Sequence, residues 1–129
     1  EDAGYIYQRI DWVTIESGVL YISHSHNTYA ASSKGMNAYV TALDLSTNEV
    51  LWRSRPLVSN ASNFLIIDEA IVCGYGFTNE KDFLYVLNKR TGSIEQTLPL
   101  KSGPSWILRK GEELFVRTYD TDYVFSITH

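Results

Sequence analysis

The sequence predicts an all-β protein, and three observations carry that prediction. Nine Tyr, five Phe and three Trp stand among many Val, Ile and Thr, the residues that fit a pleated strand best. Apolar residues alternate or run on for four to six positions, as in VLYIS (19–23) and LFVRTY (114–119), and never recur with a helical period. Turn-forming clusters separate these runs: STN at 46–48, TNEKD at 78–82, RTG at 90–92, RKGE at 109–112 and YDTD at 119–122.

Composition bounds what such a chain can do. Its 129 residues, 44% of them hydrophobic, provide enough apolar material for a core. A net charge of −4 argues against an electrostatic grip on nucleic acid or anionic lipid. The longest apolar stretches, FLII at 64–67 and AIV at 70–72, are far too short for a helix to cross a bilayer. A single cysteine, Cys73, excludes an intrachain disulfide and a Cys-rich zinc site. The sequence opens on Glu1 and so carries no information about a leader peptide.

Internal repetition refines the fold class. YVTALDLSTNEVLWRSRPL (39–57) overlays FLYVLNKRTGSIEQTLPL (83–100) at an offset of 44, which sets Ala42 on Val86, Asp44 on Asn88, Thr47 on Thr91, Asn48 on Gly92 and Trp52 on Gln96. A third copy is read from Tyr123, aligned with Phe83. Trp12 and LYIS (20–23) match Trp106 and LFVR (114–117), with Phe64 and IVCG (71–74) as the intermediate copy. AGYIYQRI (3–10) overlays 47–54 and 91–98, a displaced copy of the unit's last strand.

Each unit then reads as four short strands. The first strands are 11–15, 63–67 and 104–108, and the second are 18–24, 70–75 and 112–119. The third are 37–45, 83–89 and 122–128, and the fourth are 49–55 and 93–98, with 5–10 as the displaced copy. Asn48 and Gly92 fall where a hairpin needs positive φ. Four antiparallel strands repeating every 40–45 residues describe a β-propeller blade, and the chain is expected to be one repeat region, 1–129, of about three blades: 11–55, 59–100 and 102–128, plus the outer strand 4–10.

ALDLSTNEVLW (42–52) resembles the A-x-D-x-x-T-G-x-x-x-W signature of the pyrroloquinoline-quinone-like (quinoprotein dehydrogenase-like) propeller repeat. Ala42, Asp44, Thr47 and Trp52 match it, with Asn48 in place of glycine; the second unit keeps only Thr91 and Gly92. The resemblance implies that Trp52 packs between blades. It also implies a location outside the cytoplasm, periplasmic or secreted, among scaffold members of the cell envelope. The quinone site of the catalytic members does not map onto this sequence, so no cofactor and no dehydrogenase activity are carried over.

Three blades cannot close alone. Propellers close with four to eight blades, and three would require about 120° per blade. The expected partner is a second copy, head to tail, closing six blades with strand 5–10 completing the other chain's third blade; the alternative is the remainder of a longer propeller.

Candidate chemistry is sparse. His24 and His26, in SHSHNTY, would share one face of a strand, but no further ligands accompany them, and no metal is assigned. With Asn27 and Tyr29 they mark the long excursion 24–36 as the candidate binding surface. Cys73, aligned with Ile22 and Val116, reads as a core residue. Trp12, Phe64 and Trp106, equivalent by repeat, read as blade packing or as the lining of an axial site. Asp120 and Asp122 resemble half a calcium loop but read as an Asp-rich turn, and Asn60-Ala61-Ser62 forms a glycosylation sequon. No nucleophile elbow, H-E-x-x-H motif, phosphate loop or haem motif is present. The sequence therefore points to a non-catalytic binding scaffold presenting loops, or to a segment of a quinoprotein-like or glycan-processing enzyme.

Overall fold

The computed structural model describes residues 9–25, 37–76 and 81–128. Eleven strands follow in order among them: β1 (Arg9–Glu16), β2 (Val19–Ser25), β3 (Tyr39–Asp44), β4 (Glu49–Arg53), β5 (Leu65–Ile67), β6 (Ala70–Tyr75), β7 (Asp82–Asn88), β8 (Ile94–Leu100), β9 (Pro104–Lys110), β10 (Glu113–Thr118) and β11 (Asp122–Ser126). They form three antiparallel meanders, β1-β2-β3-β4, β5-β6-β7-β8 and β9-β10-β11. These are three consecutive propeller blades, the third with three strands among the described residues.

The tight turns obey the chemistry read from the repeat. Asn48 has φ of 60° and Gly92 of 76°. Asn48 N–H donates to the Asp44 carbonyl at 2.7 Å, and Gly92 N–H donates to the Asn88 carbonyl at 2.8 Å. Asp44 Oδ1 accepts from Ser46 N–H at 2.8 Å, as Asn88 Oδ1 accepts from Arg90 N–H at the same distance. The first hairpins repeat a second device, since Ser17, Asp68 and Gly111 all take positive φ.

Two places differ from the sequence reading. Arg9 and Ile10, assigned to a displaced outer strand, pair with Ser25 and His24 as the start of β1, beyond a bulge between Ile10 and Trp12. The rest of that segment lies outside the described residues. The third blade is also shifted by two positions. Tyr123 stands opposite Val116 as Tyr85 stands opposite Cys73, so Tyr123 corresponds to Tyr85 rather than to Phe83. The closing bonds agree: Ile127 N–H donates to Glu112 at 2.8 Å as Lys89 N–H donates to Glu69 at 2.9 Å. Aromatics two residues apart share a face of a strand, so either register satisfies the hydrophobic pattern.

Side chains that pair across strands share a face, and this sorts the core into two layers. Between blades 1 and 2 lie Tyr21, Val40, Ala42, Val58, Phe64, Ile71, Cys73 and Leu87, with Trp52 and Ile94 packed against them. Between blades 2 and 3 lie Ile67, Val72, Leu84, Ile107, Leu114 and Val116, with Leu98, Tyr123 and Phe125 beside them.

Trp52 fastens the first interface. Its indole N–H donates to the Lys89 carbonyl at 3.0 Å, and a β-carbon at Gly92 would overlap its six-membered ring. Gly92 therefore answers two demands, a positive φ and a close neighbour. Asn63 fastens the second: fully buried, its amide donates to the Ile107 carbonyl at 2.8 Å and accepts from the Ile107 N–H at 2.9 Å.

Candidate functional site

Among the described residues, the first blade has one face against blade 2 and one face with no blade on it. Register places Ile10, Val13, Ile15, Leu20, Ile22 and His24 on the second. Val13 and Ile15 remain 43% and 62% exposed there, which is unusual for side chains of this size on a blade. Blade 3 ends in a matching apolar face, with Trp106 at 46%, Leu108 at 59% and Val124 at 56% exposure. The molecule thus exposes apolar surface at both ends of its stack.

His24 sits where β2 ends, and the sheet brings three unforeseen neighbours to it. Its Nε2 lies 2.7 Å from Thr41 Oγ1, and its ring stacks on Tyr39 with centroids 5.6 Å apart. Arg53 lies over the Tyr39 ring and donates from Nε to Thr41 Oγ1 at 3.3 Å. Burial, and then the Arg53 charge, push the His24 pKa down to about 4, while Asp11 opposes the shift. The imidazole is therefore neutral at pH 7, stacked and hydrogen-bonded, and able to accept or donate but not to bind anions by charge. Tyr39, Thr41 and Arg53 come from β3 and β4, and only the cross-strand register brings them to His24. His26, Asn27 and Tyr29 lie outside the described residues.

The remaining candidates resolve one by one. Cys73 is fully buried, and burial raises its thiol pKa far above the range of a reactive thiolate. Trp12 and Trp106 meet edge to face with centroids 6.4 Å apart, whereas Phe64 is buried in the layer between blades 1 and 2. The three are thus not alike in their surroundings, because the second unit lacks one residue and Phe64 turns to the other face. Asp120 accepts from Ser102 Oγ at 2.6 Å and from Thr121 Oγ1 at 3.0 Å, and the Ser102 bond chiefly holds its pKa below the usual carboxylate range. Asp122 takes both arms of Arg117, at 2.9 and 3.0 Å. Both aspartates are thereby committed to the hairpin turn and its flank. Asn60 of the sequon donates to the Gly76 carbonyl at 3.0 Å and accepts from its N–H at 3.1 Å. Among the described residues no group of three or more His, Cys, Asp or Glu is placed to hold a metal ion, and no helix is long and apolar enough to cross a membrane.

Cavities flank blade 3. One, of about 500 Å³, opens beside Trp106, Arg117, Tyr119 and Asp122. Another, of about 410 Å³, is a groove between blades 2 and 3 lined by Val86, Gln96, Leu98, Leu114, Phe125 and Ile127 among others.

No protein-family model and no curated protein sequence matches the chain. Solved structures do match its fold. A computationally designed protein, Ika4, superposes with a TM-score of 0.61 at 13% identity over 90% of this chain and 64% of its own. BamB from Moraxella catarrhalis gives 0.55 at 14% identity, over 88% of this chain and 30% of its own. A europium-containing methanol dehydrogenase gives 0.52 at 12% identity, over 84% and 22%. The chain spans less than two thirds of each of these relatives. At such identities the likeness is one of fold, and the fold is that of β-propellers.

Proposed function

We propose that this chain is a non-catalytic binding scaffold, three blades of a ring that further blades close. The observation that carries this reading is the pair of exposed apolar faces at the two ends of the stack, Val13 and Ile15 on blade 1 and Trp106, Leu108 and Val124 on blade 3. Each corresponds by register to a face that is buried between blades elsewhere in the same chain. A second copy, head to tail, brings blade 3 of one chain against blade 1 of the other and completes six blades. The repeat A-x-D-x-x-T-N-x-x-x-W at 42–52 fits the pyrroloquinoline-quinone-like class of propellers, and a periplasmic or secreted location accompanies that class. The surface that meets a ligand or partner is the excursion 24–36, with His24, His26, Asn27 and Tyr29.

Light scattering tests closure. The expected mass is twice 14.7 kDa, and a monodisperse species at 14.7 kDa overturns the dimer. Deleting 27–35 should abolish capture of the partner while the circular dichroism of the sheets is retained.

A second reading is favoured by the share of the relatives that the chain spans, 64%, 30% and 22%. In it, the three blades belong to a larger propeller, quinoprotein-like or glycan-processing, whose active site forms on other blades. A reading frame continuous past His129 and encoding further blades would favour it over the dimer.

A further inference from the structure

We infer that a cleft between blades 2 and 3, at the rim formed by the 101–103 connection and the β10–β11 turn, binds one ring of a neutral sugar laid against Tyr119. Both of its walls belong to described blades, so the inference is independent of what closes the ring and of the excursion 24–36.

The cleft has a volume of about 260 Å³ and is lined by Gly76, Asp82, Lys101, Gly103, Ser105 and Tyr119 among others. Two glycines bring the backbones of the blades together there. A β-carbon on Gly76 would stand 2.7 Å from the Gly103 α-carbon, and one on Gly103 would stand 3.0 Å from the Gly76 carbonyl oxygen. Neither position has room for a side chain, and none narrows the cleft.

The walls are held from behind. Asn60 accepts from the Gly76 N–H at 3.1 Å and donates to its carbonyl at 3.0 Å. Ser102 Oγ lies 2.6 Å from both Thr118 Oγ1 and Asp120 Oδ1, which ties the connection to the turn. Lys101 N–H donates to the Tyr123 hydroxyl at 2.7 Å. A cleft fixed in this way loses little freedom when a ligand enters.

The side chains select the class of ligand. Lys101 only donates hydrogen bonds, the Asp82 carboxylate only accepts them, and the Ser105 hydroxyl does both. A small rigid body with donors and acceptors around its rim answers all three, and a ring bearing hydroxyls is such a body. One acidic and one basic side chain line the cleft, so its net charge draws neither anions nor cations. Tyr119 is 85% exposed and offers the apolar face of its ring to the C–H face of a sugar. The volume falls below the roughly 300–1,000 Å³ of sites for drug-sized ligands, which suits a single ring. A zwitterionic amino acid could meet Asp82 and Lys101, but its small backbone has no flat apolar face for Tyr119.

Saturation-transfer NMR on the whole chain tests this, with glucose, galactose, mannose and N-acetylglucosamine as separate probes and glycine as the zwitterion. At least one sugar should receive saturation, strongest at the ring protons that lie on Tyr119. Tyr119→Phe keeps the ring and should retain the signal, whereas Tyr119→Ala and Lys101→Ala should each weaken binding about fivefold. Both side chains are exposed, so circular dichroism should show the fold unchanged. No transfer to any of the sugars, or a signal indifferent to Tyr119→Ala, overturns the proposal. Transfer to glycine but to no sugar also overturns it, by showing that the cleft reads charge. Mass by light scattering judges ring closure separately, since sugar binding is expected of monomer and dimer alike.

Discussion

The interface between blades 1 and 2 and the interface between blades 2 and 3 are built from the same repeat and finished differently. The first holds Phe64 at its centre, Trp52 driven in from β4 and bonded to the Lys89 carbonyl, and Ile94 from the neighbouring fourth strand. The second has Gln96 in place of Trp52, no fourth strand on blade 3 among the described residues, and a groove where the first is filled. Its fastening is polar instead, through the two hydrogen bonds of Asn63 to Ile107. Packing density in a propeller therefore depends on the outer strands as much as on the central ones.

The largest expected difference lies at the centre of the first interface. Phe64 is 1% exposed, so Phe64→Ala should cost about 3–5 kcal/mol in urea unfolding. Leu98→Ala, on the wall of the groove, should cost about 1 kcal/mol, since that side chain is only half-buried and little new cavity forms. Equal losses would show that the two interfaces are packed alike.

Next in size is the Trp52–Gly92 contact. Gly92→Ala must strain a backbone at φ of 76° and push the indole aside, for a cost of about 2–3 kcal/mol. In a Trp52→Ala background only the backbone part remains, about 1 kcal/mol. Additive costs in the double-mutant cycle would mean that the ring and the turn are not coupled.

This contact also shows what was legible in advance. Positive φ at Asn48 and Gly92 follows from the repeat, because turn chemistry is a local signal, and Trp52 between blades is what the resemblance of 42–52 to the pyrroloquinoline-quinone-like repeat implies. The register of blade 3 does not follow so directly. Phe83 and Tyr85 are both aromatic and share a face, so Tyr123 can be laid on either; only the pairing with Val116 decides. His24 is legible in the sequence as a member of the candidate surface 24–36, but its neighbours are not, since Tyr39, Thr41 and Arg53 reach it across strands. Phe64 likewise parts from Trp12 and Trp106 through a one-residue deletion, which in a strand reverses the face.

His24 extends the comparison to the face of blade 1 that carries no blade among the described residues. By register its place in β2 corresponds to Tyr75 in β6 and Thr118 in β10, both buried. Neither Tyr nor Thr gains charge in mild acid, whereas His24 does. Its folded pKa of about 4 lies below the ordinary imidazole value of 6.5, so the unfolded chain binds the proton more readily. Stability is thus complete above pH 6.5 and falls as the pH drops toward 4. Allowing for screening at this half-buried site, the loss is about 1.5 kcal/mol. His24→Gln should flatten that part of the pH profile measured by thermal unfolding. An unchanged profile would show that the imidazole is protonated in place, despite Arg53.

The smallest effect separates charge from packing in the first interface. Lys89 Nζ bonds Glu16 Oε1 at 2.6 Å across the two blades and stands 3.8 Å from Glu69. The Glu16 carboxylate is 41% exposed, so water competes for it and the pair contributes about 0.5 kcal/mol. Lys89→Met keeps the stem that lies along the blade and removes only the charge. The variant should lose that half kilocalorie at low salt and match the parent at 1 M salt, where the Debye length is about 3 Å. The Lys89 carbonyl remains to receive the Trp52 indole, so the interface should stay intact. A loss several times larger, or one that salt does not erase, would mean that the first interface is held by the ion pair rather than by Trp52 and Phe64.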